Sequence, residues 1–184
     1  MKLEDMSLEK LWELFPITFV DNTDDFKDIY LGEEKHLESL LGYYITRISH
    51  IGSTSIINIK TKPIIDILIE IDFKNKDIVK NVLSNNDYIL MNESSDKMSF
   101  NKGYTINGYA DKVFHVHIKK YGDCDELYFR DYLNENQPKA IEYEKLKLDL
   151  FNKHNPNRDL YTDGKKEFVS EIVNLARKKY KDRY

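Results

Sequence analysis

At 184 residues, 41% hydrophobic and 33% charged, the chain has the make-up of one globular domain with a sizeable core, which excludes a disordered or fibrous protein. Its longest apolar-dominated run, Pro63 to Ile71, is broken by Asp66 and Glu70 and is far too short to span a bilayer. The net charge of −4 is divided unevenly: residues 145–184 carry 11 Lys and Arg against 6 Asp and Glu, and residues 1–144 carry 17 against 26. That is a basic helical segment behind an acidic body: either a solvated face or a help in holding an anionic ligand. It is not the basic footprint of a dedicated DNA-binding domain. One cysteine, Cys124, cannot form an internal disulfide, and the acidic, amphipathic start MKLEDMSLEKLWELF lacks the features of a signal peptide. The expected setting is the cytoplasm, with no membrane and no specific nucleic acid as partner.

In chain order, a first helix is expected from Ser7, as N-cap, to Leu14, stopped by Pro16. Ile17 to Val20 reads as a short strand. Asp24 or Asp25 then caps a longer helix whose apolar positions run to Leu41 and which Gly42 ends. Tyr44 to Ile51 is strand-like, and Pro63 to Ile71 is the strongest strand, central and covered on both faces. Residues 75–84 read as helix, and Tyr88 to Met91, Lys97 to Phe100 and Val113 to Ile118 as strands. From Asp125 onward three helical pieces are expected, broken near Pro138 and at Asn155-Pro156-Asn157. No repeat or linker marks a boundary, so the chain reads as a single domain, 1–184, with residues 1–23 as an N-terminal helix and short-strand extension. Its class is α/β (α+β), a mixed sheet flanked by helices with a helical C-terminal third.

Four constellations could carry chemistry. His50-Ile51-Gly52-Ser53-Thr54-Ser55 puts a glycine and three hydroxyls at a strand end, where backbone N–H groups can cradle phosphate oxygens or simply make a turn. In Lys62-Pro63-Ile64-Ile65-Asp66-Ile67, a carboxylate within a run of isoleucines is costly unless it is paired or bound to metal. Period-two alternation puts Ile64, Asp66, Leu68 and Glu70 on one face. Asp66 and Glu70 lie roughly 13 Å apart, too far to share one metal ion, so Glu70 reads as a solvated strand end. His115 and His117 share a face, about 6–7 Å apart. They could bind metal, bind phosphate or exchange protons, or sit one in the core and one in solvent. Tyr161, Lys165, Phe168, Ile172 and Leu175 follow helical spacing. Lys165 on that face either snorkels to water or meets an anion in a cleft. The Arg130-Asp131 pair beside aromatics is similarly open. Gly52, Ser53, Asp66, His115 and His117 are expected to share one pocket.

These stretches, with Phe129-Arg130-Asp131-Tyr132-Leu133, Tyr143-Glu144-Lys145-Leu146-Lys147 and Tyr161 through Lys165 to Phe168, resemble the GrpB family in order from about residue 24 to the C-terminus. The family resembles a branch of the nucleotidyltransferase superfamily. The resemblance implies a nucleotidyltransferase-type fold with Gly52 and Ser53 as a phosphate turn and Asp66 as the metal-side carboxylate. A metal there would neutralise charge on the transferring group. The implied ligand is a nucleotide such as ATP, or another phosphorylated small molecule, with Mg²⁺ or another divalent metal. The implied ligand-binding residues are His50, Gly52, Ser53, Thr54, Ser55, Lys62, Arg130 and Lys165; the catalytic ones are Asp66, His115 and His117; the metal ligands are Asp66 and His117. Two departures stand out. Leu68 occupies the position two after Asp66, where the superfamily has a second carboxylate, and Ile57-Asn58 stands where the family commonly has Pro-Gly. Members fused to dephospho-coenzyme A kinase imply a nucleotide or coenzyme A context. The implied function is therefore a metal-dependent nucleotidyltransferase or, alternatively, a non-catalytic binding or regulatory domain with a degenerate site.

Overall fold

The strand Ile65–Ile71 (β2) organises the fold. Six of its seven residues are buried, because helices cover both its faces. In the computed structural model, which describes Leu3–Asn155 and Asn157–Tyr184, it pairs with Ile45–Ile51 (β1) antiparallel and with Gly108–Lys120 (β5) in parallel. Lys97–Thr105 (β4) and Ile89–Glu93 (β3) complete a five-stranded mixed sheet of order β1-β2-β5-β4-β3.

Alternation along β2 sends its side chains to two cores. Ile65, Ile67, Ile69 and Ile71 pack with Tyr30, Leu37 and Leu41 of the helix Asp24–Leu41 and with Val79 and Leu83 of the helix Lys76–Ser84. Leu68 packs on the other face with Ile51 and with Leu127, Tyr128 and Ala176 of two C-terminal helices, Asp125–Glu135 and Lys166–Tyr180. In chain order the helices are α1 (Leu8–Leu14), α2 (Asp24–Leu41), α3 (Lys76–Ser84), α4 (Asp125–Glu135), α5 (Gln137–His154), α6 (Arg158–Asp163) and α7 (Lys166–Tyr180). A third core joins Ile56 and Ile59 of the β1–β2 connection to α4, α5 and α7. No helix among the described residues is long and apolar enough to cross a membrane.

Ser7 caps α1, its hydroxyl accepting from the Lys10 N–H, and Gly42 ends α2, as expected. Four expectations need correction. Thr23, rather than Asp24 or Asp25, precedes α2 as its N-cap. Ile17 to Val20 is not a strand, because only Val20 finds a partner, in an isolated bridge with Thr61. Among the described residues the C-terminal third has four helices, not three. The break expected near Pro138 falls at Asn136, and Pro156 lies outside the described residues. The additional break is at Gly164-Lys165, where a β-carbon on Gly164 would crowd Leu150 of α5. Finally, Glu70 is fully buried rather than solvated. It pairs with Arg47 across the β1–β2 ladder and accepts from the Gly122 N–H at 2.8 Å.

A buried carboxylate without its cation carries the full desolvation penalty. Arg47→Ala is therefore expected to cost roughly 3–5 kcal/mol in urea unfolding. The apolar double variant Arg47→Met/Glu70→Leu should recover most of that loss. A loss under about 1 kcal/mol would place the pair among weak surface bridges.

Candidate functional site

The chain closes most tightly where β1 runs out and β2 begins. Ile51 pairs with Asp66, and the next residue, Gly52, turns with φ +70°. A β-carbon at Gly52 would overlap the Asp66 carboxylate and lie 2.8 Å from its Cβ and Cγ. Glycine is required twice here, for the left-handed φ and for the contact. The turn continues as a short 3₁₀ segment, Ser53–Ser55. Further along, Asn58 holds φ +60°, a left-handed conformation that asparagine adopts more readily than most residues.

The hydroxyls of this turn hold the loop itself. Ser53 Oγ bonds Thr61 Oγ1, and Ser55 Oγ donates to the Gly52 carbonyl at 2.7 Å. Thr54, buried, bonds His50 Nε2 at 2.9 Å and donates to the Ile64 carbonyl at 3.3 Å. Asn22 Nδ2 reaches the carbonyls of Thr54 and Ile56 at 3.2 and 2.6 Å, clamping the loop from outside. His50 turns to the α2 face and stacks on Tyr30, with centroids 4.7 Å apart. Burial lowers its pKa to about 4, Asp66 opposing and Arg130 adding to the effect. Arg130, on α4, ties that helix to β1. Its guanidinium donates to the His50 carbonyl at 2.9 Å, to Asp131 at 2.8 Å and to the Tyr184 hydroxyl at 3.0 Å.

The parallel β2–β5 register places His115 beside Asp66 and His117 beside Leu68. Both rings reach one oxygen of the aspartate: His115 Nδ1 lies 3.3 Å and His117 Nε2 3.5 Å from Asp66 Oδ1. Burial would raise the Asp66 pKa, but the two histidines outweigh it and hold the carboxyl well below the ordinary range. Gly52, Asp66, His115 and His117 are thus neighbours, with Ser53 in the adjoining turn, while the cavities at Lys62 and Lys165 are lined by other residues. Leu68, where a second carboxylate would stand, is fully buried against α4 and α7. Among the described residues, no three His, Cys, Asp or Glu side chains converge as metal ligands.

Two lysines within electrostatic reach of Asp66 lie against one aromatic ring. Lys62 Nζ lies 5.4 Å and Lys165 Nζ 4.4 Å from the centroid of Tyr161. Neither ammonium has a carboxylate in ion-pair contact among the described residues. Burial lowers the pKa of both, that of Lys165 to about 8; for Lys62 Asp66 opposes and Arg158 adds, and for Lys165 Lys62 adds and Asp66 opposes. Lys165 sits at the α6–α7 joint rather than within a helix, as N-cap of α7. The joint, not helical spacing, brings it to the ring. Lys147 of α5, fully buried, donates to the Lys60 carbonyl at 2.6 Å. Burial and then the neighbouring Lys165 bring its pKa to about 7, Lys62 adding and Glu144 opposing. A cavity of about 460 Å³ is lined by Lys165, Tyr143, Thr162 and Ser170, and a smaller one, about 90 Å³, by Lys62, Pro63 and Tyr109.

Sequence reasoning missed Tyr104, whose hydroxyl lies 2.8 Å from His115 Nε2, and the Tyr161 ring as a shared seat for two ammonium groups. It also missed Thr61 and Asn22 as anchors of the turn. An aromatic one residue from the end of β4 and a lone asparagine carried no signal without the strand register.

The fold is that of the nucleotidyltransferases. A Cid1 poly(U) polymerase with MgGTP bound superposes with a TM-score of 0.50 at 11% identity, over 79% of this chain and 46% of that one. At that identity the likeness concerns the fold alone. The family model described as GrpB protein matches residues 16–175, and the chain belongs to the GrpB family. It is 33% identical over 168 residues to the glutamate-rich protein GrpB of Alkalihalophilus pseudofirmus, covering 86% of this chain and 94% of that protein. The crystal structure of the conserved protein GrpB from Enterococcus faecalis superposes with a TM-score of 0.77 at 29% identity, over 89% of this chain and 99% of that one. The UPF0157 protein YqkA of Bacillus subtilis is 29% identical over 96% of this chain, which spans 52% of that longer protein.

The His50 environment has a pH signature. Between pH 6.5 and 4 the unfolded chain binds a proton that the folded His50 refuses, so stability falls as pH falls through that window. By pH 4.5 the loss from this group should reach roughly 2–3 kcal/mol. Urea unfolding at pH 7 and pH 4.5 should show the difference shrinking by that amount in His50→Gln. An unchanged difference would remove His50 as its source.

Proposed function

We propose that this site binds a nucleotide, such as ATP, or another phosphorylated small molecule. Its phosphates would lie between the Gly52-Ser53 turn on one side and Lys62 and Lys165 on the other, with Asp66 and His117 beside them. The observation that carries the reading is the pair of partly buried ammonium groups over the Tyr161 ring, unpaired among the described residues. Such groups are stabilised by an incoming anion more than by water.

A divalent cation, Mg²⁺ or another, arriving with those phosphates would have Asp66 and His117 as its protein partners. Mg²⁺ commonly takes only one or two protein ligands, phosphates and water completing its shell, and when bound it neutralises charge on the phosphoryl group. Leu68 favours a second reading, in which a single carboxylate serves binding or regulation without transfer. Nucleotides labelled at the α-phosphate, incubated with the protein, Mg²⁺ or Mn²⁺ and a cell lysate, separate the two readings. Transfer of label to an acceptor supports the transferase, and binding without transfer supports the regulatory domain.

Calorimetric titration with MgATP tests the site itself. Lys165→Ala should weaken binding about tenfold at low salt, which is ~1.4 kcal/mol. The deficit should shrink as salt rises, with the melting temperature little changed. Equal affinity of the variant and the parent at low salt would return Lys165 to a packing role at the helix joint.

A further inference from the structure

Asp66 is bracketed by two imidazoles that are not equivalent. Both approach the same oxygen, Oδ1, but with different nitrogens: His115 with Nδ1 at 3.3 Å and His117 with Nε2 at 3.5 Å. A carboxylate can only accept, so the nitrogen facing it must carry the proton in each ring. For His115 the other nitrogen, Nε2, is already engaged by the Tyr104 hydroxyl at 2.8 Å, with the two rings roughly parallel at 20°. Tyr104 is itself wedged between Phe15 and Tyr109, at centroid distances of 4.7 and 5.3 Å. For His117, Nδ1 has no partner among the described residues, and its side chain is 35% exposed, against 22% for His115. Leu68, its register neighbour on β2, offers no polar atom.

We infer that the two histidines are held in opposite tautomers with separate tasks. His115, fixed by Tyr104, is a positioning residue that steers Asp66. Asp66 in turn orients His117, whose bare Nδ1 is the nitrogen presented to the ligand. The arrangement follows the general rule that an imidazole's tautomer and aim are set by what its other nitrogen bonds. It gives the site a lone pair at His117, which suits the cation or a hydrogen-bond donor of the ligand, such as a sugar or alcohol hydroxyl, and not a phosphate oxygen. Tyr104 thereby becomes a second positioning residue, acting on Asp66 through His115.

The assignment of a ligand to His117 rests on the proposed phosphorylated-ligand site, but the tautomers do not, so they are tested in the ligand-free protein. Long-range ¹H–¹⁵N correlation spectra at pH 7.5, assigned with His115→Gln and His117→Gln, should show His115 carrying its proton on Nδ1 and His117 on Nε2. In Tyr104→Phe, with amide spectra confirming the fold, His115 should become a mixture of tautomers, and the His117 pattern should broaden or shift as Asp66 loosens. Adding ATP should then move the His117 signals more than those of His115. Both rings protonated on Nε2, a doubly protonated His117, or a Tyr104→Phe spectrum identical to the parent would overturn the inference. Correct tautomers with no response to ATP would leave the positioning chain standing and overturn the ligand assignment.

Discussion

The site depends on one close approach, that of the Gly52 backbone to the Asp66 carboxylate. Nothing larger than a hydrogen fits at Gly52, and its left-handed φ is one that other residues adopt only under strain. The contact sends the chain from β1 into the Ser53–Ser55 turn directly beside the aspartate. Loop hydroxyls, Asn22 and Arg130 then hold the turn there. A carboxylate so enclosed must have its charge answered. The two histidines of β5 answer it, because a parallel ladder puts every second residue of β5 on the Asp66 face.

The electrostatics of the site are therefore unlike those of a cluster of carboxylates around metal ions. Two imidazoles contact one carboxylate and two ammonium groups lie within its electrostatic reach, in a chain that as a whole is negative. Lys62, Lys165 and Lys147 each have a lowered pKa, chiefly because they are buried and partly because cations crowd one another. An anion entering the site would relieve that crowding. Lys147 is the exception in kind, since its ammonium is already committed to the Lys60 carbonyl and supports the β1–β2 connection from below.

Much of this was legible in the sequence because two of its signals are local. The period of two along Ile65–Ile71 and along Phe114-His115-Val116-His117 fixed which faces Asp66 and the histidines occupy, and a glycine at a strand end marked the turn. What was not legible depends on long-range register. Glu70 read as solvated because its partner, Arg47, is 23 residues away on another strand. Tyr104 meets His115 only because β4 and β5 form a long hairpin, with Asn101 opposite His115. The smooth apolar spacing from Tyr161 to Leu175 hid the joint at Gly164, which packs against Leu150. The GrpB resemblance indicated the fold; it did not indicate which side chains surround Asp66.

The central claim is that Gly52, Asp66, His117, Lys62 and Lys165 form one anion-receiving site. Backbone amide mapping of ¹⁵N-labelled protein titrated with MgATP tests it most directly. The account predicts saturable shifts concentrated at Gly52-Ser53, around Asp66 and His117, and at the Gly164-Lys165 joint, with little change on β3 or the exposed face of α3. Shifts confined to the outer strands, or to the surface where Arg183 pairs with Asp131 at 3.0 Å, would contradict it.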